Sequence, residues 1–260
     1  MTSSSSASGN ARLALACLDL TSLNTADTES DITTLCQRAQ SPFGPVAAVC
    51  VWPRLAAFAR TQLPATIAVA AVANFPHGHA DIDAAVRDTN EIVQAGAQEV
   101  DVVLPYRSLM AGDEQAVAAL LTAVRRACPG LLLKVILETG ELKTPELIGC
   151  ACQISLDAGA DFLKTSTGKT PVSATPDAAR IMLGAIAASP AARTRVGFKA
   201  SGGIRTVAEA AIYLDLVREL LGADALKPHR FRIGASSLLG DIEAVLAGPA
   251  QASTTSRGAY

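Results

Sequence analysis

The chain has 260 residues, half of them apolar by type and 18% charged, and its 22 basic and 24 acidic side chains leave a formal charge of −2. That composition can bury one large core and excludes intrinsic disorder. No basic surplus marks a nucleic-acid binder, and no uninterrupted apolar run approaches the roughly 18 residues of a membrane span. The longest candidate, 63–75, is interrupted by Pro64 and closed by Pro76.

Residues 1–11 lack the basic and apolar regions of a secretory signal and read as a flexible polar tail, which predicts a cytoplasmic protein. Cys17, Cys36, Cys50, Cys128, Cys150 and Cys152 form no Cys-x-x-Cys pair and no ligand spacing with His77, His79 or His229. They read as reduced, mostly buried thiols.

Short apolar runs then alternate with longer Ala-rich amphipathic segments. The predicted strands are 12–20, 46–52, 66–72, 99–104, 131–138, 161–165, 196–200 and 230–234. The predicted helices lie near 31–40, 53–61, 80–96, 113–127, 145–158, 176–188, 206–221 and 236–247. Thr144-Pro145-Glu146 and Thr175-Pro176-Asp177 each supply a capping hydroxyl, a proline at the first helical position and an early acid. Gly96, Gly159 and Gly222 fall where helices should stop. Eight strands and eight helices in alternation predict an α/β fold, a single (β/α)8 TIM barrel over 12–247, followed by a flexible tail at 248–260. A doubly wound dinucleotide fold should carry Gly-x-Gly-x-x-Gly after its first strand, and the sequence there is Asp19-Leu-Thr-Ser-Leu-Asn24.

Such barrels hold their chemistry at the carboxyl ends of the strands. Asp19, Asp101, Lys134, Glu138, Lys164 and Lys199 interrupt or end the apolar runs, and a charge buried in a strand is costly unless paired. The chain uses six lysines against sixteen arginines, yet Lys164, Lys169 and Lys199 fall at or just after strand ends. A guanidinium cannot replace an amine that must lose its proton and attack a carbonyl. Neighbouring strands lie about 4.8 Å apart, so Lys164 and Lys199 can approach, and a second cation disfavours the ammonium form of the first. That pairing predicts a Schiff-base nucleophile whose iminium acts as an electron sink. Asp101 is the candidate proton shuttle, with Asp19 and Glu138 as electrostatic partners. After the seventh strand, Ala200-Ser-Gly-Gly-Ile-Arg205 offers backbone N–H groups to an anion, and Gly234-Ala-Ser-Ser237 does so after the eighth.

The segments 18–24, 99–106, 133–139, 160–169 and 197–205 together resemble the deoxyribose-phosphate aldolases, with Lys164-Thr-Ser-Thr-Gly-Lys169 the most specific part. The resemblance spans roughly residues 12–247. It implies a class I aldolase, free of metal and cofactor, that reversibly cleaves 2-deoxy-D-ribose 5-phosphate to D-glyceraldehyde 3-phosphate and acetaldehyde. The Schiff-base lysine then falls on Lys164, the activating lysine on Lys199 and the proton-relay aspartate on Asp101. Phosphate contacts fall on Gly168, Lys169, Gly202, Gly203, Ser236 and Ser237, while Asp19, Thr21, Asn24 and Cys50 match pocket residues. In similar proteins a long tail can fold a terminal tyrosine into the barrel mouth, which makes Tyr260 a candidate proton relay.

The partner expected is a small phosphosugar, with neither nucleic acid nor membrane; a homodimer is compatible with the sequence, which does not select it. Three rivals stay open: another Schiff-base or transaldolase-like enzyme, a metal-dependent aldolase, and a non-catalytic phosphosugar-binding barrel.

Overall fold

Stretches rich in valine and alanine, punctuated by glycine and proline, become eight parallel strands in the computed structural model, which describes residues 2–248. They are β1 (Leu18–Thr21), β2 (Ala48–Val51), β3 (Ala68–Ala73) and β4 (Glu99–Val103), then β5 (Leu132–Ile136), β6 (Phe162–Lys164), β7 (Gly197–Ser201) and β8 (Phe231–Ala235). Each pairs with its neighbour in sequence, and β8 pairs with β1 to close the barrel. This is a single (β/α)8 barrel.

Alternation along each strand divides the side chains into two sets. Val100 and Val102 of β4, Leu133 and Val135 of β5, and Phe198 and Ala200 of β7 join the core beneath the surrounding helices. The residues between them carry the charge: Glu99 and Asp101, Lys134, Lys199. Lys199 of β7 reaches Asp101 of β4 across the barrel, from a strand that is not its neighbour, so these side chains occupy the barrel interior. Lower in the barrel Phe162 fills the lumen, and a Cβ on Gly197 would lie 2.3 Å from its ring.

The helices are α1 (Thr2–Ala16), α2 (Glu29–Arg38), α3 (Pro53–Gln62), α4 (Ile82–Gln94), α5 (Tyr106–Met110) and α6 (Glu114–Ala127). After them come α7 (Thr139–Leu142), α8 (Pro145–Asp157), α9 (Pro176–Ala188), α10 (Val207–Leu221) and α11 (Leu238–Ala247). Thr144 and Thr175 cap α8 and α9 as their sequence pattern predicts, accepting from the N–H groups of Leu147 and Ala178. Gly96, Gly159 and Gly222 all adopt positive φ just beyond helices.

The amino-terminal expectation needs correcting. In place of a flexible tail over 1–11 and a strand from 12, α1 runs to Ala16 and the first strand begins at Leu18. Ala11, Ala14 and Leu15 are buried where α1 packs against α10 and α11, so tertiary packing holds a helix that its serine-rich start would not. The short helices α5 and α7 also interrupt the predicted strict alternation. Of the expected tail 248–260, everything after Gly248 lies outside the described residues, Tyr260 included. Among the described residues no helix is long and apolar enough to cross a membrane.

Candidate active site

Lys164 ends β6, and the barrel register sets it directly beside Lys199 of β7. Both amines donate to one oxygen, Oδ2 of Asp101, each at 2.8 Å. The other oxygen of Asp101 accepts from Lys134 Nζ at 2.6 Å. Lys199 also donates to Asp19 Oδ2 at 2.5 Å. All five side chains are essentially inaccessible to solvent, as the alternation of charged and apolar residues on these strands requires.

A second tier lies under this one. Lys134 Nζ is 2.6 Å from Glu99 Oε2, and Arg232 bridges Glu99 at 2.6 Å and Asp19 at 2.5 Å. In this linked cluster three carboxylates face four basic groups. Among the described residues, Lys134 reaches three carboxylates, and Lys199 and Arg232 two each, but Lys164 reaches only Asp101 through an oxygen it shares. Loss of one proton from Lys164 therefore leaves the cluster neutral, at the position with the weakest ion pairing.

The electrostatics follow. Burial, reinforced by the Lys199 ammonium, holds Lys164 below the ordinary lysine value despite the attraction of Asp101. Burial acts on Lys199 in the same sense, but Asp101 and Asp19 together outweigh it and hold that ammonium above its ordinary value. Asp101 is itself buried, yet Lys134, Lys164 and Lys199 keep its carboxyl well below the usual range. One lysine is thus biased toward the free amine and its neighbour toward the charged form.

Above the charges opens a cavity of about 350 Å³ with Lys164 in its wall. Thr21, Asn24, Gly168, Lys169, Gly202, Gly203, Ser236 and Ser237 line it, so the glycine-rich segments after β6 and β7 meet the serines after β8 at one mouth. Gly168, Gly202 and Gly203 have φ of 77°, 87° and 83°, left-handed conformations that glycine adopts without strain. Lys169 Nζ donates to the Leu23 carbonyl at 2.8 Å and so bridges the loops after β6 and β1.

Two expected pocket residues sit elsewhere. Asp19 lies beneath the cavity in the charge cluster, and Cys50 is buried beside Leu23, Ala70 and Val72, its thiol pushed up by burial. None of the six cysteines is bonded to another. His77 and His79 lie with ring centroids 5.5 Å apart, and among the described residues no group of three or more His, Cys, Asp or Glu is placed to hold a metal ion.

Sequence reasoning missed Glu99 and Arg232 and gave Lys134 no role. The signal was present: Glu99 stands two residues before Asp101 on one strand, so both must face the same side. Ser201 was also passed over; its N–H donates to Thr165 Oγ1 at 3.0 Å, tying the ends of β6 and β7 together.

Residues 13–241 match the family described as DeoC/LacD family aldolase. Over 249 residues the chain is 50% identical to the deoxyribose-phosphate aldolase of Agrobacterium fabrum, covering 94% of this chain and 95% of that one. Among solved structures, a proposed deoxyribose-phosphate aldolase from Coccidioides immitis superposes with a TM-score of 0.77 at 32% identity, covering 90% of this chain and 87% of that one. The tetrameric deoxyribose phosphate aldolase of Aeropyrum pernix superposes at 0.68 with 26% identity, covering 90% and 91%. With a match that takes in all eight strands, the chain belongs to the DeoC/LacD family of aldolases.

Proposed function

We propose that this aldolase reversibly cleaves 2-deoxy-D-ribose 5-phosphate to D-glyceraldehyde 3-phosphate and acetaldehyde through a Schiff base on Lys164. The observation that carries the reading is the single Asp101 oxygen shared by Lys164 and Lys199 beside a glycine-lined cavity. The name of the half-identical Agrobacterium relative supports the substrate.

The free amine of Lys164 adds to the C1 aldehyde of the open-chain sugar and expels water, giving an iminium. A base removes the C3 hydroxyl proton, the C2–C3 bond breaks, and its electron pair moves into the iminium to form an enamine. Glyceraldehyde 3-phosphate departs. The enamine carbon then takes up a proton, and water releases acetaldehyde and the amine. Asp101 and Lys199, both within hydrogen-bond reach of Lys164 or its partner oxygen, relay these protons. Gly168, Lys169, Gly202, Gly203, Ser236 and Ser237 take the phosphate, with Thr21 and Asn24 along the sugar. Asp19 fixes Lys199, and Cys50 packs behind the site. The scheme uses no metal or organic cofactor, and Tyr260 is a further candidate relay.

The cleavage direction breaks a deoxy-sugar phosphate into two smaller aldehydes, a degradative role. Six unpaired thiols suit the reducing cytoplasm.

Borohydride reduction in the presence of 2-deoxyribose 5-phosphate, followed by peptide mass mapping, tests the proposal. An adduct on Lys164 that is absent from Lys164→Arg is the expected result. An adduct on another lysine, or a product aldehyde other than acetaldehyde, would overturn it.

A further inference from the structure

Glu138 is buried, charged and unused by the scheme above. It follows β5 in the left-handed region, at φ 56° and ψ 58°, a conformation that favours glycine and strains a glutamate. Its carboxylate is fully engaged, and every partner lies on the loop after β6. Thr167 Oγ1 donates to Oε2 at 2.5 Å, the Thr167 N–H points at both oxygens at 3.3 and 3.4 Å, and Thr170 Oγ1 lies 3.2 Å from Oε1. The same Thr167 hydroxyl accepts from the backbone N–H of Lys169 at 3.0 Å. A continuous chain thus runs from the carboxylate through Thr167 to Lys169.

That loop is also gripped from both sides. A Cβ on Gly140 would meet the Val172 carbonyl at 2.1 Å, and one on Gly202 would meet Ser173 at 2.6 Å and Gly168 Cα at 3.1 Å. The segment 167–173 thus packs tightly between α7 and the loop after β7. Within it, Thr167, Gly168 and Lys169 face the cavity.

We propose that Glu138 is a positioning residue for phosphate recognition, its carboxylate locking the Thr167–Gly168–Lys169 turn so that the Gly168 N–H and the Lys169 amine are aimed before substrate arrives. The strained backbone at Glu138 fits this role, since it aims the carboxylate under the loop rather than along the strand. The inference rests on the reading that these loops hold a phosphate. It assigns Glu138 no proton transfer: its consequence is binding of the phosphorylated end, not chemistry at C1.

The test compares 2-deoxyribose 5-phosphate with unphosphorylated 2-deoxyribose as substrates of Glu138→Ala, Glu138→Gln and Thr167→Val. Glu138→Ala should raise KM for the phosphate ester about tenfold or more while kcat and the KM for the free sugar move less than about threefold. Glu138→Gln keeps one acceptor oxygen and should recover part of the loss, and Thr167→Val should reproduce the Ala variant. Equal losses on both substrates, or a kcat loss of about tenfold or more in Glu138→Ala or Glu138→Gln, would overturn the assignment. If Glu138→Ala does not fold, the Gln and Val variants decide on the same split. A native enzyme that shows no preference for the phosphate ester would remove the underlying reading and this inference with it.

Discussion

Lys164 Nζ and Lys199 Nζ stand in register on adjacent strands and compete for one oxygen of Asp101, each at 2.8 Å. The competition is unequal, because Lys199 has Asp19 as a second partner and Lys164 has none among the described residues. Shared attraction is therefore converted into different charge states for two otherwise identical side chains.

Replacing Lys199 by Met removes a cation that disfavours the Lys164 ammonium and leaves the shared Asp101 oxygen to Lys164. Both changes raise the Lys164 pKa. The acid limb of the kcat/KM profile should move to higher pH, with kcat/KM at neutral pH down about 100-fold or more. A limb that stays in place or moves to lower pH contradicts the assigned roles.

Asp101→Asn acts in the opposite sense. With its attraction gone, burial and Lys199 push Lys164 further down, so borohydride trapping should begin at lower pH than in the native enzyme. Turnover should nevertheless fall about 100-fold or more, because the proton relay is lost. Three buried lysines also lose a carboxylate, which should cost about 3–5 kcal/mol in urea unfolding.

Acid sensitivity follows from the same groups. Asp19 and Asp101 are depressed in the folded chain, so their stabilisation is complete above the unfolded carboxylate pKa of about 4 and is lost as pH falls toward their folded values. Urea midpoints should hold from pH 7 to 5 and drop steeply below about 4. A flat profile down to pH 3 would count against the ion-paired cluster.

The barrel itself was legible in the sequence because parallel strands covered on both faces read as short apolar runs, and because Thr144 and Thr175 marked helix starts at the correct residues. The run around residues 12–20 misled, since a few apolar residues do not distinguish a strand from a buried helix, and only packing against α10 and α11 decides. At the site, Lys164, Lys199 and Asp101 stood out as charges ending or breaking apolar strands. Arg232 did not. It sits one residue from Phe231 and one from Ile233, and only closure of the barrel brings it to Glu99 and Asp19, more than a hundred residues away. Long-range ion pairs of this kind leave no local pattern.

Gly234 offers a purely steric test of how tightly Lys199 must be held. It lies in β8 facing the lumen, and its φ lies outside the positive range, so alanine meets no backbone penalty there. Space is the only obstacle: a Cβ would lie 2.7 Å from Ser201 Oγ and 3.0 Å from Lys199 Cε. Something must move, and moving Lys199 loosens its grip on Asp101 and Asp19. Misplacing a catalytic group by about 1 Å can cost about 100-fold, so Gly234→Ala should lower kcat by about tenfold or more while KM for the phosphate ester changes little. Ser201→Gly in the same chain removes the nearest obstacle and should restore most of the rate. Gly203→Ala is the contrast: its Cβ meets nothing within 4 Å, but at φ +83° the backbone is strained, so it should act on phosphate KM and leave kcat nearly intact. If Gly234→Ala turns over like the native enzyme, the position of Lys199 is less exacting than the shared Asp101 oxygen implies.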